Sequence, residues 1–377
     1  MTKKRFLMGM LALASPAVFA QSSVTLYGII DTGVEYVSHA NANGDSVVRM
    51  PGVTGELPSR WGLRGREDLG GGYAAQFVLE SGFNVRGGDL GQGGRLFGRQ
   101  AWVGLNSPYG TLMFGRQYTM TYLMDSDADI LGPNIYGIAS LDAYVPNARS
   151  DNAIGYQGTW KGFTLGATYS FGHDSAGTGN SPGQGTCAGS APGQFTQCRQ
   201  MSTMLRYDSN VFGLAAAYDE QRGGPNAAAS FFDGDAPIPL TNPGDKDVRL
   251  LGNGWIKVQG VKIGAGWIGR NVVTTSGTVP GARSNLFYLG ASYPITPSFI
   301  LDGEVFRIVN AAQDARATME VVRGTYLLSA HTAVYLQTAY LANSARARYS
   351  VSAGGGGTTP PLGQGQLGAM AGLRQSF

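Results

Sequence analysis

The stretch Val24–Tyr36, VTLYGIIDTGVEY, changes character at every residue. Val24, Leu26, Gly28, Ile30, Thr32, Val34 and Tyr36 share one phase; Thr25, Tyr27, Ile29, Asp31, Gly33 and Glu35 share the other, and both charges belong to the second. Side chains of an extended chain point alternately to opposite faces. The stretch therefore reads as a β-strand with one uncharged, mostly apolar face and one that carries charge.

The same segregation recurs to the end of the chain. Arg60, Arg64, Arg66 and Asp68 oppose Trp61, Leu63 and Gly65; Arg206 and Asp208 oppose Leu205 and Tyr207; Asp302 and Glu304 oppose Leu301, Gly303 and Val305. Arg374 opposes Leu367, Ala369, Ala371, Leu373 and Phe377. Arg307 and Glu320 break the phase, both near loop ends. Arg99 is in phase with Ala101, Val103 and Leu105, so a lumen-facing Arg99 is expected to carry those apolar groups inward and turn Trp102 outward. Seven short turns, such as Leu69–Gly72 and Val258–Gly260, alternate strictly with eight loops, such as 38–58, 118–148 and 172–199. Fifteen connections join sixteen strands in up-and-down order. An even strand number with short turns at one end and long loops at the other is the layout of an outer-membrane barrel. Aromatics stand in the outward phase at both strand ends, Phe163, Phe212 and Tyr326 near turns and Tyr36, Phe171 and Trp267 near loops, as two interfacial girdles require. A soluble β-sandwich does not explain the alternation of turn and loop.

Composition agrees. Residues 1–20 form a secretory leader, with Lys3, Lys4 and Arg5 before the apolar run Phe6–Ala14 and a small-residue cleavage site at Val18-Phe19-Ala20. The apolar run is shorter than the ~20 residues of a membrane-spanning helix. Removing the leader removes the whole net charge of +3, so the mature chain, 21–377, lacks the basic excess of a nucleic-acid binder. Without long apolar helices, entry into a membrane requires a closed barrel. Cys187 and Cys198 lie in one Gly/Ser/Pro-rich loop. Export to an oxidising compartment favours a disulfide clasping that loop over two free thiols.

The loop between Arg116 and Ser150 departs from the other connections. Met120, Tyr122, Leu123, Met124, Ile130, Leu131, Ile135, Tyr136, Ile138, Leu141, Tyr144 and Val145 are too apolar for a segment in water, and Asp125, Asp127, Asp129 and Asp142 sit among them. Unstructured loops of this length are functional or disordered, and disordered segments are poor in such side chains. The loop is expected to fold inward and narrow a channel.

Catalysis finds little footing. His39, His173 and His331 lie in two loops and a turn, none beside a nucleophile motif, whereas a Ser–His pair must be within hydrogen-bond reach. Asp125-Ser126-Asp127-Ala128-Asp129 has the spacing of a calcium loop, but Ile130 and Tyr136 occupy the positions that need Gly and Glu. No metal or cofactor site is expected. A barrel serving mainly as adhesin or receptor, through loops such as Ala353–Thr358, is the alternative to a channel.

Several segments together resemble the general porins of betaproteobacteria, related to the neisserial trimeric porins. They are Ser23–Gly28, Ser59–Gly65, Glu67–Gly72, Gly98–Leu105, Phe114–Tyr118 and Gly372–Phe377. The resemblance implies a homotrimeric, sixteen-stranded diffusion channel constricted by its third external loop, with Phe377 as the signal read by the outer-membrane assembly machinery. It also implies wall arginines at the constriction, in the places of Arg60, Arg99 and Arg149, facing loop carboxylates from Asp125, Asp127, Asp129 and Asp142. With Arg64 added from the alternation, four fixed guanidinium charges stand against four loop acids whose reach into the lumen the sequence leaves open. The expectation is passive flow of ions and small hydrophilic solutes with weak to moderate anion preference, through a protein surrounded by outer-membrane lipid and lipopolysaccharide.

Overall fold

The computed structural model describes residues 23–52, 54–125, 127–174, 186–187, 189, 191–230, 235–352 and 358–377. The leader read at 1–20 lies outside the described residues.

Sixteen antiparallel strands close into one barrel. They are β1 (Ser23–Val37), β2 (Arg60–Gly70), β3 (Tyr73–Gly82), β4 (Gln100–Ser107), β5 (Gly110–Tyr118), β6 (Arg149–Trp160), β7 (Phe163–Ser170) and β8 (Gln200–Asp208). The second half comprises β9 (Phe212–Arg222), β10 (Lys246–Val258), β11 (Val261–Val273), β12 (Ala282–Thr296), β13 (Phe299–Asn310), β14 (Ala315–Leu327), β15 (Thr332–Asn343) and β16 (Gln366–Ser376). Each strand pairs with its sequence neighbours. The barrel closes because β1 is long enough to serve two partners, its first half paired with β2 and Ile29–Val37 paired with β16. No described helix is long and apolar enough to cross a membrane, so spanning falls to the strands. Closure leaves no unpaired edge in lipid.

The alternation is realised as predicted. Val24, Leu26, Ile30, Val34 and Tyr36 are exposed on the outer wall, while Asp31 and Glu35 are buried inside. Arg206, Asp302, Glu304 and Arg374 likewise share the inward face with lumen partners. Arg307 and Glu320 do face outward.

The expectation attached to Arg99 is corrected. Val103 is 58% exposed and Leu105 also faces outward, yet the Arg99 side chain is inside, against Glu80. Arg99 precedes β4, which begins at Gln100, so the strict period of a strand does not bind it. Gln100 pairs with the inward Glu80, and Trp102 shares that face, donating from Nε1 to Gln100 Oε1 (3.0 Å). Trp102 therefore faces in, not out.

The eight external connections, L1 to L8, include L1 (38–59), L3 (119–148), L4 (171–199) and L8 (344–365). Val47–Arg49 of L1 pairs with the external end of β1. In L4, Cys187 and Cys198 are joined by a disulfide.

Candidate pore constriction

L3 begins with a short helix, α1 (Met120–Asp125), and contains two single turns of 3-10 helix at Ile138–Ser140 and Val145–Asn147. It runs along the inside of the wall and returns. The Met120 N–H donates to Ser202 Oγ on β8 (2.9 Å). Glu304 on β13 accepts from the N–H groups of Leu131 (2.9 Å) and Ile130 (3.4 Å). Asn134 Nδ2 donates to Gln337 Oε1 on β15 (2.7 Å). On the way back, Ser140 Oγ donates to the Val351 carbonyl of L8 (2.7 Å), and Tyr144 OH donates to Asp219 on β9 (3.2 Å). Most of the apolar side chains that made this loop anomalous, among them Met120, Met124, Leu131, Ile135, Tyr136 and Val145, are buried, while Tyr122, Leu123 and Ile130 are half-buried.

Wall glycines make the docking possible. A Cβ at Gly264 would collide with the Ala128 carbonyl, and one at Gly368 would lie 2.7 Å from the Tyr136 ring. Removing side chains there lets the loop backbone lie directly on the sheet.

Beside the start and end of L3 stands a basic wall. Arg99, 2% exposed, donates from Nε to Glu80 Oε1 (2.7 Å) and from Nη2 to Tyr118 OH (2.6 Å). Tyr118 OH in turn donates to Glu80 Oε1 (3.3 Å). The Arg149 guanidinium lies 4.8 Å from the centre of the Tyr118 ring, on which Tyr122 stacks at 3.9 Å. Arg60 donates to the Pro58 carbonyl (3.0 Å) and lies 3.9 Å from Glu80. One carboxylate thus serves two arginines within ion-pair distance, with a third behind the tyrosine.

Four loop acids were expected at the constriction, and they occupy three environments. Asp125 and Asp129 border a cavity of about 200 Å³ together with Arg60, Leu57, Tyr122 and Val145. Burial raises the Asp125 carboxyl to about 6, against the hydrogen bonds it accepts from Tyr288 and Asn253. Burial also raises Asp129 well above the usual carboxylate range, helped by the nearby Glu304 carboxyl. Asp127 is paired with Arg206 and lies 3.7 Å from Lys262, away from that cavity. Asp142 is behind the loop, held by Arg249 Nε (2.9 Å) and Nη2 (3.1 Å). Burial pushes Asp142 up, but Arg249 and Arg270 together hold it below the usual carboxylate range. Arg64 is exposed, 5.6 Å over the Tyr27 ring.

A second inward element was not foreseen. Residues 54–59 of L1 enter the barrel. The Leu57 N–H donates to Asp31 Oδ2 (2.7 Å), and the Ile135 N–H of L3 donates to the Gly55 carbonyl (3.0 Å). Glu56 pairs with Arg374 (2.9 Å) and lies 3.6 Å from Arg323. The available signal was the inward-phase Arg374, a lumen cation; Arg323 already has Asp302 opposite it at 2.8 Å.

The closed barrel is matched by comparison with known proteins. Residues 8–346 match the model of the Gram-negative porin family. An outer membrane porin protein of Bordetella pertussis is 31% identical over 92% of this chain and 95% of its own length. Outer membrane porin protein 32 of Delftia acidovorans is 28% identical, with 97% of both chains covered. Among solved structures, the anion-selective porin from Comamonas acidovorans superposes with a TM-score of 0.75 at 24% identity, covering 95% of this chain and all of that one. The chain belongs to the Gram-negative porin family, an outer-membrane β-barrel that serves as a diffusion channel.

Proposed function

We propose that the channel passes ions and small hydrophilic solutes passively, with a weak to moderate preference for anions. The observation that carries this is the charge balance around one cavity: Arg60 borders it with Asp125 and Asp129, Arg99 and Arg149 stand behind, Glu80 is the one acid among these three arginines, and Arg64 is beyond. Guanidinium groups stay charged at physiological pH, whereas the Asp125 and Asp129 carboxyls are held toward their neutral form. Rings of fixed charge at a constriction sort ions electrostatically. Facing charges of opposite sign also set a transverse field that favours polar over apolar solutes. In this reading Asp127 and Asp142 anchor L3 and contribute little to selectivity.

The assembly we propose is a homotrimer, as the porin resemblance implies, with Phe377 as the recognition signal for barrel assembly and no catalytic role in any of these residues. The test is the reversal potential of the reconstituted channel across a salt gradient in a planar bilayer. Anion preference is expected, and a clear cation preference overturns the arginine-dominated reading.

A further inference from the structure

The cavity bordered by L1 and L3 brings acids and a cation to one small space without pairing them. Asp125 Oδ1 accepts from Tyr288 OH and from Asn253 Nδ2 (3.5 Å), and Asp129 Oδ1 accepts from the Gly132 N–H (3.0 Å). Glu304 on β13 lies against the Asp129 carboxyl and accepts from the Leu131 and Ile130 N–H groups. All three acids are buried. Among the described residues none of them forms an ion pair. Like charges gathered out of water are costly unless a proton or a cation joins them.

The other edge of the cavity offers donors. Arg60 donates from Nη1 to the Pro58 carbonyl (3.0 Å) and its Nε lies 3.9 Å from Glu80, while Nη2 has no partner among the described residues. Tyr122 stacks on Tyr118 through its ring, and its hydroxyl makes no hydrogen bond with the described residues. Both side chains are half-buried, so their free donors are accessible. Leu57, Pro133, Val145 and Pro146 supply an apolar lining. The volume, about 200 Å³, is below the ~300–1,000 Å³ of a site for drug-sized ligands.

We propose that this cavity is a binding subsite for a zwitterionic α-amino acid with an apolar side chain. The ammonium group sits at Asp125 and Asp129, the carboxylate at Arg60 Nη2 and the Tyr122 hydroxyl, and the side chain against Leu57, Val145 and Pro146. A guanidinium is a strong, directional partner for a carboxylate, and it disfavours an amine that brings no carboxylate with it. A metal ion is a poorer occupant, because among the described residues no three acidic, imidazole or thiol groups are placed to hold one. The size of the cavity suits one amino acid rather than a peptide. Binding of this kind saturates, unlike free diffusion through a wide lumen, and it must stay weak enough for the solute to leave. The proposal rests on the channel reading above but not on its ion preference.

The test records the full-length purified protein as single channels in a planar bilayer, with L-leucine added and brief interruptions of the ion current counted. Leucine should interrupt the current saturably. Its apparent affinity should exceed by about tenfold that of glycine, which lacks the apolar body, isocaproate, which lacks the ammonium, and isoamylamine, which lacks the carboxylate. The double variant Asp125→Asn, Asp129→Asn should remove the advantage over isocaproate, and Arg60→Gln the advantage over isoamylamine. If the variants fail to assemble, the ligand series on the parent channel decides alone. Interruptions are scored against each channel's own open current, so a cation-preferring reversal potential would remove the selectivity reading and leave this series readable. Titration calorimetry in detergent reads the same ligand order without any current, which tells failure as a channel from failure as a binding site. Leucine no better than glycine, isocaproate or isoamylamine overturns the proposal, as does calcium chloride competing with leucine for the same acids.

Discussion

Asp125 and Asp142 lie in one loop and have opposite electrostatic fates. Asp142 meets Arg249 in a buried pair, so its charge is retained and spent on holding the loop. Losing Asp142 leaves Arg249 with Asp247, 3.1 Å away, so the change costs less than the ~3–5 kcal/mol of a fully stranded buried charge but removes the loop's share of the cluster. Asp142→Ala is therefore expected to loosen L3, seen as irregular, noisy conductance steps; quiet, native-like steps would contradict the anchoring role. Asp125 has phenol and amide partners but no cation within ion-pair distance, and burial lifts it to about 6. The sign follows directly. The folded state binds the proton more tightly than the unfolded state, so docking of this part of L3 gains as pH falls toward the ordinary carboxylate range and loses as pH rises through about 6. Acidification also removes a negative charge from the aperture. Anion preference should rise between pH 7.5 and pH 5, and Asp125→Asn should flatten that rise. A pH-independent reversal potential in the parent channel would refute the assignment. Sequence alone did not separate these two acids, because Arg249 and Tyr288 lie more than a hundred residues away from their partners and only the closed barrel brings them together.

At the scale of elements, L3 was legible and L1 was not. L3 announced itself by apolar side chains without strand alternation, a pattern that makes sense only if the loop is covered. The inward part of L1 consists of residues such as Gly55, Glu56 and Pro58, which read equally well as a solvated loop. Its anchors, Arg323, Arg374 and Tyr335, belong to β14–β16. The phase tied to Arg99 misled for a related reason: the period of two ends where the strand ends, and Arg99 is one residue outside it. The contact between loop and wall also makes a prediction. Gly264→Val places a branched side chain where the Ala128 backbone now rests, and overpacking is resolved by displacement. The loop has only the lumen to move into, so single-channel conductance should fall. A variant of parental conductance would show that L3 does not rest on β11. Removing Glu56 through Glu56→Gln leaves Arg323 and Arg374 less compensated, and the reversal potential should shift further toward anions; a shift toward cations would contradict its place in the lumen.

For the whole molecule, the wall and the loop inside it are separable in principle. Every strand of the barrel finds both ladder partners among other strands, and the outer wall gains its stability from lipid contact that L3 does not touch. The strand count and the sidedness of the charges were readable because each is local, repeated sixteen times. The fit between L3 and the wall depends on long-range register and was not readable. This division leads to a test. Replacing residues 121–146 by a short Gly/Ser linker leaves Glu304, Gln337 and Asp219 on the wall without their loop partners. Those groups then face water in a wide lumen rather than lipid, where unsatisfied polar groups are far more costly. The barrel should still assemble, with the heat-dependent mobility of a folded barrel in detergent gels. Its conductance should increase several-fold and its ion preference should weaken, since charge acts on ions strongly only within about a Debye length, ~8–10 Å at physiological salt. A loop-deleted chain that fails to form a barrel would show that L3 is part of the folding core. One that assembles with parental conductance would place the constriction somewhere other than L3.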